Sequence, residues 1–320
     1  MAYALVDQMK AEGSTLRGGV IQGLVMRSNV MMTMPFEDIG TINQTVVRWK
    51  TLPGVAFRKI NAAYAEGAGS YEQLNETIYP LGHDIDVDKV FVRDSKVILD
   101  PRATQAQMVL KSLAYTVNNY FITGDQASDP DGLTGIKKRI ANLPAAQTVT
   151  PDATTYPNGI TVKTNATTQQ DFLDLLDNLL YALDEGQADV LYMNSKALLG
   201  ISSVLRRQAL LNQSQDMFGR RVMRYGDGGP LLADIGFLGD QVTQIITNTE
   251  TYGAATTATS IYAVRYGVGE YLHGIQEYDL DVYDLNELQS GPQFRTRIDW
   301  PVGIALWNDR SIARLSGLIF

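Results

Sequence analysis

The sequence predicts an α+β fold, and three observations predict it. A long amphipathic helix stands over residues 101–123. A second capped helix follows near 168–185. Strand-like segments crowd the stretch before residue 93 and the stretch after 242 without alternating with helices. No repeat period appears. A chain of 320 residues, 45% hydrophobic, can bury a large core as one elaborate domain or as two sub-domains.

Residues 1–40 are mixed and glycine-interrupted, with methionines at 26, 31, 32 and 34. They read as an arm lying on another surface, with a short helix over Ala2–Glu12. Thr45–Trp49 and Val55–Ile60 read as two strands separated by Leu52-Pro53-Gly54, and Ala65–Ser70 then breaks the chain. His83–Asp88 alternates polar and apolar, the period of a half-buried strand. A charged hairpin carrying Trp49 and Phe57 gains little by folding alone and is expected to pack on a neighbouring subunit.

The strongest helix signal comes next. Asp100 suits the N-cap and Pro101 the first helical position, where its missing N–H is lost at no cost. Ala106, Leu110, Leu113, Val117, Tyr120 and Phe121 recur at helical spacing, and Gly124 is expected to end the helix in a left-handed conformation. Asp129-Pro130-Asp131-Gly132 reads as a turn. Residues 143–166 form a connector in which Pro157-Asn158-Gly159 before Ile160-Thr161-Val162 signals a hairpin.

The second helix is expected to start in a capping box of Thr168 and Asp171, bury Phe172, Leu175, Leu176, Leu179, Leu180 and Leu183, and stop at Gly186. Ala188–Met193 reads as a buried strand, and Asn194 as the cap of a helix from Lys196 to Gln208. Further strands are expected at Val242–Ile246, Ser260–Val264, Tyr278–Tyr283, Phe294–Asp299, Gly303–Trp307 and Ser311–Leu315.

Little in the chain supports catalysis. Cysteine is absent, which excludes disulfides, thiolate metal sites and a cysteine nucleophile together. The glycine pairs Gly67/Gly69 and Gly267/Gly269 lack a third glycine leading into a helix, and there is no Walker-type Gly-Lys-Ser/Thr. Placing Gly132 at the sixth position of a calcium loop would put Ala127 first and Lys138 last, which supply no ligands. His83 with Asp84, Asp86 and Asp88 reads as a strand face rather than a metal cluster, because the aspartates point away from the side bearing His83, Ile85 and Val87. His273 is the only other histidine. No Gly-x-Ser-x-Gly elbow occurs. We therefore expect no catalytic residue, cofactor or metal.

Lys10, Glu12 and Arg17 interrupt any signal core, and Val30–Phe36 is too short to span a bilayer. The expectation is a soluble, intracellular chain with no membrane partner. A net charge of −8 argues against tight nucleic-acid binding as the main task. Charge is nevertheless segregated. Lys196, Arg206, Arg207, Arg220, Arg221 and Arg224 face the single acid Asp216, whereas Glu277, Asp279, Asp281, Asp284 and Glu287 lie in a stretch without a base. Such patches can meet across subunit boundaries.

The succession of these elements resembles tailed-bacteriophage major capsid proteins of the Hong Kong 97-type fold. The resemblance rests on helix 101–123, the run Gly124-Asp125 to Asp131-Gly132-Leu133-Thr134-Gly135, the phrase Ser260–Gly267, and the ending Arg297-Ile298-Asp299-Trp300, Ala305-Leu306-Trp307-Asn308 and Ala313-Arg314-Leu315. It covers nearly the whole chain. It implies an N-terminal arm (1–40), an extended β-hairpin loop (41–80), a peripheral domain (81–145) with spine helix 101–123, an axial domain (146–275), and return strands to the periphery (276–320).

It further implies a structural protein of the virion, assembled in the host cytoplasm into pentamers and hexamers of an icosahedral head. Its partners would be itself, a portal protein, separate scaffolding or decoration proteins, and packaged DNA held non-specifically. The arm begins almost at Met1, which implies a separate scaffolding protein or assembly without one. Intersubunit contact candidates are Trp49, Phe57, Lys59, Arg220, Arg221, Asp279 and Asp281. Some family members cross-link a lysine, and Lys50 and Lys59 lie where such a residue would be. The alternatives are an encapsulin-type compartment shell, and less favoured, a soluble α+β enzyme or a small-molecule binding protein.

Overall fold

The structure, a computed structural model, describes residues 2–4, 24, 27–93, 101–215, 219, 221–289 and 291–320. Its first half runs β1 (Ala2–Ala4), α1 (Asn29–Thr33), β2 (Pro35–Asp38), β3 (Asn43–Thr51), β4 (Ser70–Thr77), β5 (Tyr79–Asp88), α2 (Lys89–Arg93), α3 (Pro101–Thr123) and α4 (Ile136–Ala141). Next come β6 (Thr148–Val149), β7 (Ile160–Thr161), α5 (Ala166–Ala182), β8 (Val190–Met193), α6 (Ser195–Arg207), β9 (Leu211–Gln215), β10 (Arg221–Tyr225) and β11 (Leu231–Asp234). The chain closes with β12 (Glu250–Tyr252), β13 (Ala255–Val264), β14 (Leu272–Gln276), β15 (Asp281–Glu287), β16 (Gln293–Leu306) and β17 (Ile312–Ile319).

Two sheets and a ribbon organise these elements. A six-stranded sheet runs β1-β2-β14-β16-β15, with β5 also paired to β16. A nine-stranded sheet runs β6-β17-β13-β8-β11-β10-β9, with β12 on β13 and β7 on β17. Strands β3 and β4 pair only with each other.

The nine-stranded sheet is covered on both faces, and the two-residue period of its strands divides the core. On β8, Val190 and Tyr192 join Leu113, Val117 and Phe121 of the spine helix α3; Leu191 and Met193 join Phe172, Leu176 and Ile201 of α5 and α6. Strand β13 splits likewise, with Tyr262 and Val264 towards α3 and Ile261 and Ala263 towards the opposite helices. The spine-side core also takes Ile298, Trp300, Val302 and Ile304 of β16, so it binds the two sheets together.

Part of the N-terminal segment is built into this body. Met31, Met34 and Phe36 are fully buried. Ser28 caps α1 by accepting from the Met31 N–H and donates to Asn118 Oδ1 at 2.5 Å. Asn118 Nδ2 in turn donates to the Ile235 carbonyl, so one buried polar chain links this segment, α3 and the end of β11. Residues 2–4 are a strand against β2 where a helix was expected; the rest of that expectation, residues 5–12, lies outside the described residues.

Several other expectations change. Val55–Ile60 is not a strand: the partner of β3 is Ser70–Thr77, and residues 52–69 form the ribbon's exposed tip. Gly124 keeps an ordinary φ; glycine is needed there because a Cβ would lie 2.2 Å from the Leu133 carbonyl oxygen of the returning loop. Asp100 lies outside the described residues. Ile160–Thr161 closes no hairpin and pairs parallel to β17. Helix α5 is capped one turn earlier, by Asn165 with Thr168 in a reciprocal box, because Thr168 occupies the third helical position. Val242–Ile246 is a loop held by one isolated bridge. Phe294–Asp299 and Gly303–Trp307 merge into β16, and Tyr278–Tyr283 shifts to β15. Strand β17, expected among the return strands, completes the nine-stranded sheet.

Candidate assembly surfaces

The ribbon is the feature the rest of the fold does not account for. Strands β3 and β4 pair antiparallel from Asn43↔Thr77 to Thr51↔Ser70, with a bulge beside Trp49. Nine residues at about 3.4 Å each carry the tip about 30 Å from its base. Along the ladder, Thr45 donates to Asn75 at 3.1 Å, Lys50 reaches Glu72 at 3.4 Å and Thr51 meets Ser70 at 2.6 Å. These exposed polar pairs fix the register and bury nothing.

The tip is fully solvated and carries large apolar side chains. Val55, Phe57 and Ile60 are 95%, 107% and 92% exposed, and every residue from 51 to 70 is exposed. Leu52 and Tyr64 are exposed beside them, and a cluster of large apolar side chains left in water marks an interaction site. Lys59 stands on the same tip, and its ammonium has no ion-pair partner among the described residues. Arg58 is occupied locally: its guanidinium donates to the Lys59 and Ala62 carbonyls and lies 4.7 Å from the Tyr64 ring centroid.

The ribbon's base is locked by an ion pair that sequence reasoning missed. Glu76, near the end of β4, receives a bidentate pair of hydrogen bonds from Arg139 of α4 at 2.5 and 2.8 Å. Arg139 also donates to the Ile304 carbonyl (3.0 Å) and the Thr134 carbonyl (2.9 Å), and the Leu306 N–H points at Glu76 from 3.4 Å. Both side chains are nearly buried, at 13% and 10% exposure. The partners are 63 residues apart, so no local pattern pairs them. The available signal was a carboxylate on the same strand face as Leu74.

The remaining candidates are dispersed. Trp49 is a ladder residue opposite Tyr71, and its side chain lies outside the described residues. Arg220 also lies outside them. Arg221 begins β10, is exposed, and lines a shallow cleft of about 200 Å³ with Met32, Leu198, Met223 and Asp234. Burial raises the Asp234 carboxyl above its ordinary value. Asp279 accepts from Gln276 at 2.8 Å, and Asp281 accepts from the Val282 N–H at 2.8 Å. Two acids of the same stretch have cations within the chain: Asp284 pairs with Arg102 at 2.8 Å and Glu287 with Lys89 at 2.6 Å. The acidic stretch is therefore partly neutralised internally.

The strand face with three aspartates is a cross-strand ion ladder. Arg297 holds Asp84 at 2.6 and 2.8 Å, and Arg295 holds Asp86 at 2.7 and 2.6 Å. These hydrogen bonds lower both carboxyl pKa values. His83 lies opposite Ile298 and His273 opposite Ala305 of the same strand, so the two histidines share no site. His273 is buried, which lowers its pKa. No group of three or more metal-ligating side chains occurs among the described residues. No helix among them is long and apolar enough to cross a membrane.

One apolar cavity of about 150 Å³ opens between α3 and β5, lined by Tyr79, Leu81, Val117, Tyr120, Leu133 and Val302, with Asp131 at its rim. The turn that carries the rim is pinned, because the Tyr120 hydroxyl donates to the Asp129 carboxylate and the Gly132 N–H to the Asp129 carbonyl.

Comparison with known proteins gives the fold its relatives. Residues 14–155 match the family model described as Major capsid protein GP7. No curated protein sequence matches the chain. Among solved structures, the capsid of a native GTA particle is 18% identical, with 90% of this chain and 89% of that chain covered and a TM-score of 0.60. The SrpI encapsulin of Synechococcus elongatus is 12% identical, with 91% and 87% covered and a TM-score of 0.60. A protein of Mycobacterium phage Bobi is 12% identical, with 90% and 89% covered and a TM-score of 0.55.

Proposed function

We propose that this chain, which has the Hong Kong 97-type capsid fold and matches the major capsid protein GP7 family model over residues 14–155, is the major capsid protein of a tailed bacteriophage. Its role is structural and not enzymatic. Copies associate into pentamers and hexamers that close an icosahedral head around double-stranded DNA, and the protein resides in the virion.

The observation that carries this reading is the ribbon. A 30 Å projection with a solvated apolar tip exposes hydrophobic surface that folding of one chain leaves uncovered, and a neighbouring copy supplies the missing cover. Burial of that tip is deferred until assembly, so the same surface drives association.

On this reading the arm (1–40) and loop (41–80) make the overlapping contacts, while segment 81–145 with the spine helix and the six-stranded sheet form the periphery. Segment 146–275 builds the axial part on the nine-stranded sheet. Trp49, Phe57, Lys59, Arg220, Arg221, Asp279 and Asp281 remain our candidates for intersubunit contact. A net charge of −8 suits a wall that faces DNA without gripping it. The further partners we propose are a portal protein and separate scaffolding or decoration proteins, with assembly in the host cytoplasm.

Negative-stain microscopy of the purified chain tests the proposal: rings or closed shells support it, and a compact monomer at every concentration refutes it. The fold likeness to an encapsulin supports a second reading, a compartment shell. The family match at residues 14–155 favours the phage head. Particles from infected cells that contain DNA would decide for the phage head, and particles filled with protein cargo for the compartment.

A further inference from the structure

We propose that the apolar cavity between α3 and β5 of one copy receives the Phe57 ring from the ribbon tip of a neighbouring copy, with Lys59 of that tip paired to Asp131 on the cavity rim. This rests on the shell reading above and names the site at which the ribbon docks.

The cavity and the ring match in size. The cavity holds about 150 Å³ and is lined mainly by Tyr79, Leu81, Val117, Tyr120, Leu133 and Val302. An apolar cavity of about 150 Å³ accommodates one benzene ring. Phe57 is the most exposed large apolar side chain of the tip and the one whose ring fills such a space. The cavity wall is also preformed. A Cβ on Gly132 would lie 2.4 Å from Tyr120 Cε1, so glycine at 132 lets the tyrosine ring form one side.

Reach identifies the donor as a second copy. Tyr79 begins the strand that leaves the ribbon, so the cavity sits at the ribbon's own base. The paired ladder holds the tip about 30 Å from that base. A chain therefore cannot place its own Phe57 in its own cavity without unzipping β3 from β4.

Charge completes the match. Asp131 is exposed on the rim and makes no ion pair or hydrogen bond among the described residues. On the tip, Arg58 is held by backbone carbonyls and the Tyr64 ring, which leaves Lys59 as the cation available to a partner. Lys59 lies two residues from Phe57, and two residues of extended chain span about 7 Å, so the ring and the ammonium can reach the cavity and its rim together.

The absence of cysteine makes the test direct. Ala56→Cys combined with Thr116→Cys, which lines the cavity, introduces the only two thiols and keeps the Phe57 ring. Oxidation of assembled shells should then give a ladder of covalently joined chains on a non-reducing gel. Shells of this variant that yield only single-chain bands overturn the docking site and leave the shell reading standing. Failure of the unmodified chain to form rings or shells counts against the shell reading itself.

Should the thiol pair block assembly, a charge exchange decides. Lys59→Asp should raise the concentration needed for assembly at least about tenfold, and adding Asp131→Lys in the same chain should restore it. A folded double variant that assembles no better than Lys59→Asp alone overturns the pairing.

Discussion

Replacing Glu76 by Gln removes one charge from the ribbon's base and leaves the Arg139 guanidinium nearly buried without its counter-ion. Breaking such a pair from one side costs about 3–5 kcal/mol, because a desolvated charge is left uncompensated. At 13% and 10% exposure, neither side chain is wet enough to escape most of that cost. The carbonyls of Thr134 and Ile304 still accept from Arg139, which places the expected loss near the lower end. An unfolding entropy of about 2.1 cal/mol/K per residue makes 1 kcal/mol worth roughly 1.5 °C in a chain of this length. Thermal unfolding of the unassembled protein should therefore fall by about 4–5 °C for Glu76→Gln. The double variant Glu76→Leu/Arg139→Met should recover most of the loss, since apolar replacement of both partners removes the buried charge altogether. Hydrogen exchange should quicken along β3 and β4 in the single variant first. An unchanged Tm for Glu76→Gln, or a double variant that loses the sum of the two single losses, would refute the view that this pair fastens the ribbon.

Other outcomes follow from the same geometry. Asn194→Ala removes the cap of α6 together with hydrogen bonds to the Ile246 carbonyl, Asn248 and Thr259, all in buried or half-buried surroundings. Denaturant titration should show a loss of roughly 2–4 kcal/mol. Gly135→Ala would place a Cβ 2.5 Å from the Tyr120 carbonyl oxygen and 2.7 Å from the Gly124 nitrogen, both backbone atoms that must part. A loss of about 1–3 kcal/mol is expected, against less than about 0.5 for Gly54→Ala, where nothing lies within reach. The Asp84 and Asp86 carboxyls have folded pKa values below their ordinary 3.8, so the stability they contribute is complete above that value and lost as pH falls through the lower folded values. Asp84→Asn with Asp86→Asn should flatten the acid limb of a stability–pH curve below about pH 4, and an unaltered acid limb would show that the ladder contributes nothing.

How far the sequence could be read depended on whether a feature was local. Pro101 and the apolar spacing of Leu110, Leu113 and Val117 marked α3 to its observed start, because capping and periodicity act within a few turns. Alternation marked β5, and Asn194 marked α6, for the same reason. The misread elements were decided by distant partners. Val55–Ile60 has strand-like composition but nothing to pair with, while the polar Ser70–Thr77 becomes a strand because β3 lies opposite. Pro157-Asn158-Gly159 has the chemistry of a hairpin, yet the following strand is claimed by β17, more than 150 residues later. Gly124 was required by the backbone of a returning loop and not by a left-handed turn. Of the candidate contacts, Phe57 and Lys59 stand on an exposed tip, whereas the Glu76–Arg139 fastening was invisible until the ribbon base met α4.

On the shell reading, one chain is an incomplete object, finished by copies of itself through the ribbon. Its most direct test is the particle mass in solution, by light scattering, of the intact chain and of a variant in which residues 52–69 are replaced by Asn-Gly. Large particles are expected from the intact chain and a folded, small species from the shortened one. Single-chain mass for the intact protein across a wide concentration range, or equally large particles without the tip, would contradict it.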